Sequence, residues 1–153
     1  MLAFAMAALQ LLVVQGLKPA GDVGLEVTFH TKERAVLRSA QVDYERCERL
    51  LQQSRDRQRP VGVSVLEGEI QQVLRADRDV VRELAERGPA RVDIWFFGHD
   101  GKFQFDRSNP HAKRIFDTLA GSERSGRWVW FAATLPALLI VDVASEDELP
   151  RTK

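Results

Sequence analysis

The stretch GEIQQVLRADRDVVRELAERG, Gly68 to Gly88, decides how many helices this chain carries. Ile70, Val73, Leu74, Val81 and Leu84 recur at helical spacing, and Gly88-Pro89 is a stop signal. The spacing predicts one helix. Asp77 interrupts its apolar face, so a strand from Ile70 to Leu74, a turn, and a helix N-capped by Asp77 stand as the alternative.

The flanking segments read more simply. Upstream, Val61, Val63 and Val65 alternate as a strand, and Leu25, Val27 and Phe29 do the same. TKER can turn that second strand into AVLRSAQV. Asp43 is a helix N-cap, and Tyr44, Cys47, Leu50 and Leu51 share one helical face. Downstream, RVDIWFFGHDGKFQFDR (91–107) is a hairpin. Val92, Ile94 and Phe96 on one strand meet Phe103 and Phe105 on the next, across a two-residue turn at His99-Asp100 or, with the better signal, Asp100-Gly101. SNPHAKRIFDTLAGS is a helix with Pro110 at its first position, followed by a polar loop over 121–126. RWVWFAA and ALLIVDVA are strands, the second apolar enough to lie centrally.

MLAFAMAALQLLVV is the most apolar window, with Gln10 its single polar residue. A transmembrane helix needs about 20 apolar residues. No Lys or Arg precedes the window and no A-x-A pattern follows it, as an export signal would require. A helix packed in the fold or in a dimer interface leads over a signal or a membrane anchor through residues 1–14, and the cytoplasm is favoured over export. The expected fold is therefore α+β: a mostly antiparallel five- or six-stranded sheet with about three helices on one face, plus an apolar N-terminal helix. Residues 1–20 are the apolar segment and linker, 21–146 a single α+β domain and 147–153 a polar tail. No internal repeat is visible.

Lys plus Arg equals Asp plus Glu, 22 each, which argues against nucleic-acid binding by bulk phosphate neutralisation. Arginine outnumbers lysine 17 to 5, pointing to a GC-rich bacterial source. The single cysteine, Cys47, excludes an intrachain disulfide and multi-Cys zinc sites, and its place on an apolar helix face suits a buried thiol better than a nucleophile.

The chemistry-bearing candidates are few. Adjacent His99 and Asp100 do not make a working dyad, which needs a carboxylate fixed elsewhere to orient the imidazole. His99, Asp106 and His111 are the residues from which a metal or small-molecule site could be assembled, although their spacing is not diagnostic. VLEGE lacks the glycines and lysine of a phosphate loop. Arg46, Arg49, Arg55, Arg57 and Arg59 form a basic run interleaved with Glu45, Glu48 and Asp56, which cancel much of its field. Trp95, Phe97, Trp128 and Trp130 are the candidate binding residues, because two strands presenting aromatics on both faces leave one set to be covered by something. These features predict a non-catalytic protein-interaction or accessory module, immunity- or inhibitor-like, bound to a protein partner or to itself, without cofactor or nucleic acid. The alternative is a small enzyme or metal-binding domain using His99, Asp106 and His111.

Overall fold

The computed structural model describes residues 9–150. Residues 1–8, where the apolar window starts, and 151–153, the end of the tail, lie outside the described residues. The fold is α+β, with ten strands in one mixed sheet and two α-helices among the described residues. This corrects the expected five or six antiparallel strands with three helices and an apolar N-terminal helix. Gln10–Pro19, half of which falls in the apolar window, is the strand β1, and the stretch predicted as a helix forms two strands, Glu69–Asp79 and Val81–Arg87.

The first half of the chain runs β1, β2 (Gly24–Phe29), β3 (Arg34–Arg38), α1 (Tyr44–Arg57), β4 (Pro60–Leu66) and the start of β5 (Glu69–Asp79). The second runs from the end of β5 into β6 (Val81–Arg87), then β7 (Arg91–Phe96), β8 (Phe103–Asp106), α2 (Ala112–Ser125), β9 (Val129–Thr134) and β10 (Leu139–Ser145). The strand order is β3-β2-β1-β4-β5-β9-β10-β8-β7-β6.

Strand registers reveal that the two halves are the same unit. In the first, β1 pairs with β4 through Gln10↔Val63 and Leu12↔Val61, and β3 meets β5 in parallel at Val36↔Glu69. In the second, the end of β5 takes the part of β1. It pairs with β9 through Asp77↔Phe131 and Asp79↔Val129, while β8 meets β10 in parallel at Gln104↔Leu139. Even the bulges correspond, at Val14/Gly16 and Val81/Glu83, and again where Gln71 and Val141 are skipped. Each unit curls on itself in the same cyclic order, and β5 serves both.

The helices are tied in by the same bonds. Ser54 Oγ accepts from Val14 N–H at 2.9 Å and donates to the Arg59 carbonyl at 2.6 Å; Ser122 Oγ accepts from Val81 N–H at 3.0 Å and donates to the Arg127 carbonyl at 2.7 Å. Arg46 donates to the Val73 carbonyl and Arg114 to the Val143 carbonyl. Both helices end on a left-handed residue, Gln58 or Gly126, whose N–H returns to the Ser54 or Ser122 carbonyl. Residues shared by the two units, Val14/Val81, Phe29/Phe96, Leu51/Leu119, Ser54/Ser122 and Val73/Val143, are buried where these contacts are made.

Three clusters hold the molecule. Cys47 and Leu51 of α1 pack inside the first unit on Val14, Phe29, Leu37 and Val63. Ile115 and Leu119 of α2 pack inside the second on Phe96, Phe103, Phe105 and Phe131. Leu9, Leu11 and Val13 join Ala132, Ala144 and Leu149 between the units. Strand β1 is therefore apolar on both faces, since Leu12 and Val14 serve its own unit while Leu11 and Val13 serve the junction. Complete burial of each such side chain contributes about 1.5–3 kcal/mol.

Candidate binding groove

Helix α1 presents Arg46, Arg49, Gln53 and Arg57 along one side, at the one-turn spacing of a helix stripe. Opposite them stand Arg75 and Arg78 of β5, then Trp128 and Trp130 at and just before β9. Pro60, Val61, Leu135 and Leu149 also contribute to the lining. The result is an open groove of about 1340 Å³ that spans both units. It carries six arginines against three carboxylates, Asp77, Glu146 and Asp147. In a chain of zero formal net charge, this is a local basic field.

The pairing within the groove is uneven. Arg75 lies 3.3 Å from Asp77, Arg46 lies 3.5 Å from Asp43, and Arg78 pairs with Glu146 while its guanidinium covers the Trp128 ring at 4.5 Å. Among the described residues, Arg49, Arg57 and Arg59 make no ion pair. Trp128 is 44% exposed and Leu135 79%. Apolar surface and unneutralised guanidinium thus share one concavity.

The four aromatic binding candidates do not form one patch. Trp128 and Trp130 line the groove, whereas Trp95 is half-buried on β7 and Phe97, just beyond it, is exposed away from the groove. The arginines of α1 complete the groove, and the basic run was legible in sequence as a charge-cancelled stretch. Helical spacing was the missing signal. Arg46, Arg49 and Arg57 recur at the same intervals as Glu45, Glu48 and Asp56, but on a stripe rotated by one residue, and only the arginines line the groove.

The other candidates sit elsewhere. Strand β8 separates His99, in the loop before it, from Asp106 at its end and His111 at the start of α2. No group of three or more His, Cys, Asp or Glu side chains among the described residues has the geometry to hold a metal ion. His99 instead bonds through Nδ1 to Asp79, a buried carboxylate that also accepts from Gly98 N–H at 2.9 Å and Val80 N–H at 2.7 Å. This is why the predicted two-residue turn is absent. Pairing stops at Ile94↔Phe103, and the longer loop between is pulled down onto Asp79. The faces stay as predicted, because the register differs by an even number of residues. Cys47 is fully buried, and its thiol pKa is pushed up to about 11, first by burial and then by Asp43.

A corresponding cleft of about 840 Å³ lies on α2. Four cations, Lys113, Arg114, Arg124 and Arg127, line it with Asp117 and Glu148. Lys113 pairs with Asp117, Arg114 with buried Asp142 and Arg127 with Asp147, so among the described residues only Arg124 of the four makes no ion pair, and no tryptophan lines the cleft. Compared with family models, curated proteins and solved structures, the chain shows no match.

Proposed function

We propose that this chain is a non-catalytic protein-interaction module of the accessory, immunity- or inhibitor-like kind, and that it receives its partner in the groove between α1 and the Trp128–Trp130 edge. One observation carries this reading: segments far apart in sequence bring exposed tryptophan, exposed leucine and unpaired arginine into one concavity. Tryptophan and arginine are the side chains in which binding energy concentrates at protein interfaces. The His99–Asp79 pair lines neither this groove nor its counterpart on α2, which speaks for a structural role.

A photo-crosslinking amino acid at Trp128 or Leu135, introduced in the native host, should trap a discrete protein adduct, a second copy of the chain included. The same residue at Val42, fully exposed and outside the groove, should not. Absence of adducts at the groove positions, or equal trapping at Val42, would overturn the reading.

A further inference from the structure

The geometry points to an extended acidic segment as the occupant of this groove, with carboxylates on alternate residues turned toward α1 and apolar side chains turned toward Trp130 and Leu135. The inference rests on the groove being the interaction site. Arg49 and Arg57 lie on one stripe of α1, separated by about 12 Å at 1.5 Å per residue. An extended chain covers that distance in about four residues, at 3.2–3.4 Å each, with alternate side chains pointing the same way. Carboxylates four residues apart would therefore meet Arg49 and Arg57, with Arg59 just beyond the end of the helix.

The opposite wall is different in kind. Trp128, Trp130 and Leu135 present apolar surface there, and Arg78, the cation nearest them, is already held by Glu146. The two walls thus suit the two sides of one strand in which acidic and apolar residues alternate. Single-stranded nucleic acid fits less well. One face of the Trp128 ring is occupied by Arg78, and Asp77, Glu146 and Asp147 along that wall would oppose a phosphate chain.

The test uses a fluorescein-labelled peptide of alternating glutamate and leucine, the same peptide with lysine for glutamate, and an oligothymidylate of equal charge. The acidic peptide should bind, weakening as salt is raised. The double variant Arg49→Glu with Arg57→Glu should lose at least about tenfold in affinity. Both side chains are exposed, so the melting temperature should hold. Lys113→Glu with Arg124→Glu, on the α2 cleft, should leave binding unchanged. Equal affinity for the lysine peptide, tighter binding of oligothymidylate, or no loss in the Arg49/Arg57 variant would overturn the assignment. Crosslinks at Trp128 without acidic-peptide binding would leave the groove standing and remove only its chemistry; the absence of both would remove both.

Discussion

The two units share a backbone and differ in what fills it. At corresponding positions the first buries Ala35, Val63 and Leu12, and the second buries Phe103, Phe131 and Asp79. Phe96 and Phe131 stack at 4.3 Å, Phe103 meets both edge-on, and the His99 ring closes the cluster 5.3 Å from Phe131. A curled sheet of one topology thus tolerates an aliphatic filling or an aromatic one. Volume and burial are what it requires. The outsides diverge as well: among the described residues three arginines of the α1 groove make no ion pair, against one, Arg124, in its counterpart on α2.

The largest effect should come from the aromatic core. Phe131→Ala is expected to cost about 3–5 kcal/mol, and Val63→Ala at the matching position roughly 2 kcal/mol. Urea denaturation measures both, and equal losses would break the contrast between the two fillings. Next, Asp79→Leu copies Leu12 of the first unit into the second. It strips Gly98 N–H of its acceptor, so a loss of about 2–3 kcal/mol is expected, with faster amide exchange at Gly98 and His99. Unchanged exchange would mean that the loop holds its shape without the carboxylate.

Ser54→Ala and Ser122→Ala should each cost about 1–3 kcal/mol, since each leaves a strand N–H without its acceptor. Thermal melts giving closely matched losses would sharpen the equivalence of the units, and a loss at only one serine would contradict it. The smallest effect concerns Cys47, which occupies the place of Ile115. Its thiol ionises at about 11 in the folded state against a reference of 9.0. The unfolded chain therefore releases this proton first, and the thiol's contribution is present below pH 9 and lost as pH rises toward 11. Cys47→Val should flatten that part of the stability–pH curve, and identical curves for the two proteins would contradict the shift.

Much of the second unit was legible in sequence. The facing sets Val92/Ile94 and Phe103/Phe105 and the strands β9 and β10, like the Asp43 helix start of the first unit, lie where periodicity and turn chemistry suggest. The helix α2 nevertheless runs on through residues taken for a polar loop and starts after His111, later than Pro110 suggested. The repeat and the strand β6 were hidden, and β5 was legible only as the alternative strand from Ile70 to Leu74, for one physical reason. A bulge adds one residue to a strand, so core-facing residues on either side of it stand three apart instead of two. Ile70 and Val73 flank one such bulge, Val81 and Leu84 another, and the resulting spacing imitates a helix. The apolar window misled differently: a strand buried on both faces has no alternation to detect. The groove was half-legible, because tryptophans signal themselves in a sequence while a stripe of arginines does so only once its helix is wound.

Strand β5 has a mechanical consequence. Its first residues pair inside one unit and its last four inside the other, with no flexible spacer between them. The arginine wall belongs to the first unit and the tryptophan wall to the second, so this hydrogen-bonded rod, backed by the Leu11, Val13, Ala132 and Ala144 cluster between the units, sets the gap between them, like the bar of a caliper. Opening or closing that gap would require tearing ladder bonds, not bending a hinge. The width of the groove is fixed in advance, so the partner proposed for it would meet a preformed site, with little ordering entropy left to lose on binding.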